Sequence, residues 1–384
     1  MALKIIFSII VLTLFSIKQA TSSETSLKLN NNFFQQFAIL EAIEASGGIL
    51  SENTKSWMKK WDHINLEDSS KFQFKELSGT TSINLKIQKI DLTDAKGYKA
   101  YGSFLSNNES GNPNSEIAYF NLAAILGVDK MFRPVVRYEL GPIAALAFRK
   151  LIEASSIKGQ QRLKNKKRIL YAIHSGSPLL GCIKARKSDS TLAYDSMTKI
   201  GRKDNGTLIS SDSIVKLIQG SKDQPIKGNI IFLNKNYSGD ALELAREFSI
   251  LLTFDSIFGQ YDRFSGGNIT LLKDDQNMAH FVAVDNGGAE IVDSQYLTKK
   301  TVKLFSRYDR NVIKKLRDFY QFLLFPSQPF IGYTSPEKMI IDLGMYYLSS
   351  PAAYLLAIKA NIQILLNEVQ TNENRYGANV YFRE

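Results

Sequence analysis

Gln260-Tyr261-Asp262-Arg263-Phe264-Ser265-Gly266-Gly267-Asn268 is the stretch on which the reading of this chain turns. Upstream, residues 239–259 carry apolar side chains at helical spacing. Downstream, Ile269-Thr270-Leu271-Leu272 reads as a strand, and a polar turn leads to a second strand, His280-Phe281-Val282-Ala283-Val284. That strand ends in Asp285-Asn286-Gly287-Gly288. A tight hairpin between the two strands brings Asn268 and Asp285 to one end, and the glycines let the backbone turn closely there.

Two carboxylates and an amide in this order suit phosphoryl transfer from ATP. One Asp, Asp262, is placed to orient or deprotonate an attacking hydroxyl. Asn268 and Asp285 are the hard oxygen ligands that Mg²⁺ or Mn²⁺ takes when it is held against phosphates. Taken singly, Asp-Arg is most often a surface ion pair and Gly-Gly-Asn a turn. The combination carries the argument.

A second segment supports it. Ser115 is expected to cap a helix in which Glu116 favours the positive end of the dipole. Ile117, Phe120, Leu122, Ile125 and Leu126 form its apolar stripe, and Gly127 stops it. In a kinase fold a helix glutamate pairs with a lysine that grips the α- and β-phosphates. Phe132-Arg133-Pro134-Val135-Val136 follows and is expected to be extended.

Around these segments the pattern predicts helix over 31–62, then a hairpin through Phe72, Phe74, Ile83, Leu85 and Ile87, and a third strand over 98–105. Residues 142–164 read as helix, Ile169–Ile173 and Leu179–Lys184 as strands, and 296–325 and 336–370 as helices. The order is a mostly antiparallel β lobe with one helix, followed by a mostly helical lobe. Nucleotide sites often lie in the cleft between such lobes.

The chain has 384 residues, 44% hydrophobic and 22% charged, enough for two lobes and too apolar for a disordered chain. Its single cysteine, Cys182, excludes an internal disulfide scaffold. Three histidines and that cysteine argue against a zinc site. Net charge +11 admits nucleotides or other anionic partners. The basic residues are spread along the chain with no recognisable nucleic-acid-binding module, so nucleic acid is not an expected partner. Lys164, Lys166, Lys167 and Arg168 read as a solvated basic face. Lys4, the apolar run Ile5–Ile17 and Ala20-Thr21-Ser22 read as a signal peptide over residues 1–22. Its removal takes away Lys4 and Lys18 and leaves a net charge of +9 with no expected membrane span. The expected location is a secretory lumen, the periplasm or outside the cell.

The three segments together resemble the atypical kinase superfamily, which includes the secretory-pathway kinases of the Golgi casein kinase type, the type II phosphatidylinositol 4-kinases and bacterial toxin-type kinases. There an acidic helix of the form Glu-x-x-Ala-Tyr…Leu-Gly precedes Pro-x-Val, and Asp-Arg…Asn and Asp-Asn-Gly follow. The resemblance implies an α+β, two-lobed protein-kinase-like fold with a small β-rich N-lobe and a mostly helical C-lobe. The expected division is residues 23–182, with a helical N-terminal extension, and residues 183–384. It also implies ATP with Mg²⁺ or Mn²⁺. Asp262 would be the catalytic Asp, Asp285 and Asn268 the metal ligands, and Glu116 the helix glutamate. Relatives often carry the nucleotide lysine in a Gly-x-Ala-x-Phe-Lys strand. Here Gly97–Gly102 corresponds and Gly102 stands at the lysine position, so Lys99 or Lys86 is expected to substitute. Ser78–Ser82, with Gly79, would cover the phosphates, and Leu179–Lys184 would lie near the inter-lobe hinge.

The expected activity is an exported kinase acting on a hydroxyl of a secreted protein or a glycan. A kinase-like nucleotide-binding module or allosteric partner with little turnover is the alternative motivated by Gly102. A phosphoinositide-type lipid kinase is the second alternative.

Overall fold

The computed structural model describes residues 37–62, 64–78, 83–90, 100–107, 111–177, 179–185, 191–193, 213–219, 230–234, 237–264, 268–274, 276–289, 291–345 and 351–382. The expected signal segment, Gly79 and Lys99 lie outside them. The chain divides into residues 1–38 and residues 39–384. The second unit holds every described strand and, apart from Ala38, every described helical residue.

Two short helices come first, α1 (Ala38–Ala45) and α2 (Glu52–Trp61). The single helix expected over 31–62 is interrupted because Gly47 takes a left-handed φ of 81° and Ser51 then caps α2. Five antiparallel strands form the main sheet: β1 (Phe72–Ser78), β2 (Asn84–Lys89), β3 (Ala100–Ser106), β4 (Val135–Leu140) and β5 (Leu179–Ala185). Their order in the sheet is β1-β2-β3-β5-β4, so β5 is inserted between β3 and β4. The expected lobe boundary at 182/183 falls inside β5.

Helix α3 (Pro113–Leu126) runs between β3 and β4 in sequence. It starts earlier than expected. Asn112 caps it by accepting the Asn114 amide, and Pro113 supplies a preset φ at the first position. Ser115 instead donates its hydroxyl to the Ala289 carbonyl, 2.8 Å away. Every residue of α3 is buried, because the helix is covered by β4 and β5 and by helices of the other lobe. That all-round burial is why a carboxylate in its first turn can be removed from water.

Helices α4 (Pro142–Ala154) and α5 (Gln160–His174) are separated at Gly159, whose φ is 93°. The strand expected at Ile169–Ile173 is part of α5. The preceding Gln, Lys and Arg run favours helix, only Asn165 and Ile169 face inward, and Tyr171 is exposed. Strand β6 (Thr191–Ala193), helix α6 (Ser213–Gln219) and strands β7 (Ile230–Asn234) and β8 (Tyr237–Asp240) precede the long buried helix α7 (Ala241–Phe258). The hairpin β9 (Ile269–Lys273) and β10 (Ala279–Ala283) comes next, with β6 along its edge.

The helical remainder is more divided than periodicity predicts. It contains α8 (Gln295–Thr301), α9 (Arg310–Leu324), α10 (Pro336–Leu343) and α11 (Pro351–Tyr376). Asp309 begins α9 by accepting the Val312 amide. Gly344, at φ 114°, ends α10. None of the described helices is long and apolar enough to cross a membrane.

An aromatic cluster joins α3 to α7. Tyr119 lies 4.3 Å from Phe258 and 5.9 Å from Phe254, ring centre to ring centre, and Phe132 lies 4.5 Å from Phe254. Each such ring contributes about 1.5–3 kcal/mol by leaving water. The cluster fixes the two segments that carry Glu116 and Arg133.

Candidate active site

Glu116 and Lys184 form a buried ion pair with 2.7 Å between Oε1 and Nζ, their side chains 1% and 6% exposed. Glu116 comes from the first turn of α3 and Lys184 from β5. Burial pulls the ammonium down, but Glu116 and Asp285 outweigh it and hold the Lys184 pKa above its ordinary value. Burial raises Glu116, against the pull of Lys184.

The lysine partner of Glu116 is therefore Lys184, not Lys86. Lys86 pairs in register with Ser103, and Ser103 with Lys184, so the three lie in one cross-strand row. Two strand spacings, about 10 Å, separate the backbones of Lys86 and Lys184. Gly102 explains why the lysine is absent from β3. A Cβ there would meet the Lys184 carbonyl oxygen at 2.7 Å and Ile183 Cγ2 at 3.3 Å. The neighbouring strand supplies the cation instead. Its signal in the sequence is a single lysine closing an otherwise uncharged strand, Leu179-Leu180-Gly181-Cys182-Ile183-Lys184.

The loop after β10 docks on both lobes. The Asn112 amide donates to the Gly287 carbonyl at 3.1 Å, and a Cβ on Gly287 would lie 3.5 Å from Glu116 Oε1. Gly288 packs against the segment after α7. A Cβ there would sit 2.7 Å from Gln260 Oε1 and 2.8 Å from Asp262 Cβ. Gln260 and Ala289 form an antiparallel bridge beside this contact. Asp285 is exposed and acts electrostatically on both Glu116 and Lys184.

Asp262 is partly buried, and its amide donates to Gln260 Oε1 at 3.0 Å. Asn268 donates from Nδ2 to the Asp262 carbonyl at 2.7 Å and to its carboxylate Oδ2 at 3.2 Å. This bond orients Asp262, and it turns the nitrogen of Asn268, which cannot ligate a cation, toward Asp262.

Arg263 holds the arrangement together, a role that the motif reading did not assign. It is 1% exposed. Nε lies 3.0 Å from Asp255 Oδ2, Nη2 reaches Asp255 Oδ1 at 3.0 Å and Asn286 Oδ1 at 2.7 Å, and Nη1 donates to the Asn268 carbonyl at 3.0 Å. Tyr119 donates its hydroxyl to Asp255 Oδ1 at 3.0 Å. One guanidinium thus ties α7, the two flanks of the open end of the β9–β10 hairpin and, through Asp255, α3. Arginine's planar fork makes this feasible, and burial of the pair demands that every donor be used.

Elsewhere, Glu243, Glu247 and His280 gather on α7 and β10. His280 Nδ1 lies 2.8 Å from Glu247 Oε1 and Nε2 lies 3.2 Å from Asp274 Oδ2. The hydrogen bond to Glu247 raises the imidazole to about 9. Glu247 also accepts the Phe281 amide at 2.8 Å, and burial raises its own pKa. This is a structural ion cluster that braces the hairpin.

A five-stranded antiparallel sheet, a central helix whose glutamate pairs with a sheet lysine, and a second-lobe hairpin bearing Asn268 and Asp285 define a kinase-like α+β fold. A solved hydra structure shares this fold. A structure of hydra Fam20 with sugar superposes with a TM-score of 0.52 at 13% identity, covering 87% of this chain and 93% of the hydra chain. A Golgi casein kinase structure gives 0.46 at 11% identity over 79% and 74% of the two chains. A Golgi casein kinase with Mn and ADP bound gives 0.49 at 10% identity over 94% and 91%. The likeness to the hydra protein is a likeness of fold. No protein-family model matches the chain, and no curated protein matches its sequence.

Proposed function

We propose that this protein is an exported ATP-dependent phosphotransferase that moves the γ-phosphate of ATP to a hydroxyl of a secreted protein or a glycan. The observation that carries the proposal is the buried Lys184–Glu116 pair under the charge of Asp285, with the loop after Asp285 packed on Glu116 at Gly287 and on the Asn268-bonded Asp262 at Gly288.

The donor set fits a hard divalent cation. Asp285 offers an exposed carboxylate and Asn268 an amide oxygen, the ligand types that Mg²⁺ and Mn²⁺ take. These two residues would hold the ion, which when bound neutralises charge on the phosphates. Lys184 donates from its ammonium to a phosphate oxygen, and Glu116 keeps that ammonium charged and aimed. Asp262, oriented by the Asn268 amide, accepts the proton of the acceptor hydroxyl as the oxygen bonds to the γ-phosphorus and the γ-phosphorus–oxygen bond to ADP breaks, ADP leaving with that electron pair. Arg263 keeps the two flanks of the hairpin's open end together, so the positions of Asn268 and Asp285 do not drift.

The test is a thermal shift with ATP and Mg²⁺ or Mn²⁺, followed by transfer of labelled γ-phosphate to a secreted-protein extract and to glycans. Stabilisation by metal–ATP and transfer abolished by Asp285→Ala are expected. Absence of any metal–nucleotide stabilisation would overturn the proposal. Binding without transfer to any acceptor, water included, would leave a nucleotide-binding module instead of an enzyme.

A further inference from the structure

Residues 132–134 run between β10 and β5. Phe132 forms a parallel bridge with Ala283, two residues before Asp285. Pro134 accepts the Ala185 amide at 2.9 Å, next to Lys184. Arg133, between them, donates from Nε to the Ala185 carbonyl. Among the described residues this is its hydrogen bond, and neither Nη group takes a protein acceptor there.

The charges nearby do not call for this arginine. Glu116 already has Lys184 at 2.7 Å. Asp285 is the exposed carboxylate placed to hold a cation. Arg133 is also costly where it stands: burial lowers its pKa even though Glu116 and Asp285 both favour the guanidinium. A partly buried guanidinium anchored by one nitrogen, beside the lysine and the carboxylate of a phosphate site, has the form of an anion receptor.

We propose that Arg133 is a second phosphate-binding cation of the nucleotide cleft, its Nη groups contacting the β- or γ-phosphate while Nε stays fixed on Ala185. The inference rests on the nucleotide reading above. It adds that this chain grips the phosphates with two cations, one from β5 and one from the segment before β4 that packs between β5 and β10. With Lys184, Glu116 and Asp285 it makes a set of zero net charge, which a metal–triphosphate of about two negative charges enters without repulsion.

The test is calorimetric titration of the full chain, its Arg133→Gln variant and its Arg133→Lys variant with Mg–ATP, Mg–ADP and AMP. Each variant's unfolding midpoint without ligand is measured alongside. Arg133→Gln is expected to weaken Mg–ATP and Mg–ADP by about 10- to 100-fold, the range for losing charge-assisted hydrogen bonds. AMP should change by less than about twofold, and Arg133→Lys should recover part of the loss. Equal Mg–ATP affinity in Arg133→Gln and the parent would overturn the inference and leave the nucleotide reading standing. Equal weakening of Mg–ATP and AMP, with a lowered unfolding midpoint, would make Arg133 structural and also overturn it. A parent protein that binds none of the three would overturn both.

Discussion

Replacing Lys184 with Met tests the central geometry most directly. The substitution keeps side-chain length and removes the ammonium 2.7 Å from a carboxylate that is 1% exposed. Breaking a buried pair from one side costs about 3–5 kcal/mol, because the remaining charge is left without its partner. Glu116 limits the loss by taking up a proton, since burial already raises its pKa. The deficit of the Lys184→Met protein should therefore be largest at pH 7–8 and shrink toward pH 5. Glu116→Gln leaves a lysine that still has Asp285 nearby, so its cost should be smaller, about 1–3 kcal/mol. The double variant should be no less stable than Lys184→Met, which gives a coupling of at least about 1–3 kcal/mol. Urea unfolding of the four proteins at pH 5 and pH 8 measures every leg of this cycle. A coupling below about 0.5 kcal/mol at both values would refute a direct Lys184–Glu116 pair.

Arg263→Lys cannot reproduce the fork that spans Asp255, the Asn268 carbonyl and Asn286. It should lower stability by about 3–5 kcal/mol, read by denaturant midpoint, and a loss under about 1 kcal/mol would contradict its role as the tie. Gly288→Ala places a Cβ 2.8 Å from Asp262 Cβ. Phosphate transfer should fall at least about tenfold with little change in unfolding, because displacement by roughly 1 Å is enough to spoil alignment; unchanged transfer would show that Asp262 needs no such approach. His280, at about 9 in the fold against 6.5 when unfolded, adds stability that is complete below pH 6.5 and fades as pH rises through 9. Partial exposure and the burial cost of Glu247 leave a net of about 1 kcal/mol. The stability gap between parent and His280→Gln should accordingly be present at pH 6 and close by pH 9.5, and a gap constant with pH would exclude a charged His280.

Much of the candidate site is legible without coordinates. Asp262, Asn268 and Asp285 lie on one strand–turn–strand element, and local pattern is enough to bring such neighbours to one end. Glu116 is legible because a carboxylate in a first helical turn has a local signature. Lys184 is not, because its role depends on β5 lying beside β3, and no periodicity states which strands become neighbours. Arg263 escapes for a similar reason: its acceptors come from α7, the start of β9 and the loop after β10. The helix breaks at Gly47, Gly159 and Gly344 are hidden because apolar spacing persists across a residue whose backbone turns left-handed.

The sequence by itself determined the α+β character, the placement of α3 before the second-lobe hairpin, and the acid and amide groups of that hairpin. These follow from local spacing and residue chemistry. Tertiary structure decided which cation serves Glu116. Steric exclusion at Gly102 keeps a lysine off β3, and the register Ser103–Lys184 offers the adjacent strand in its place. It also decided that the segment holding Phe132 and Arg133 bridges to β10 at Ala283, within electrostatic reach of Asp285. A buried charge is stable only where folding delivers a partner, and that partner comes from a distant part of the chain.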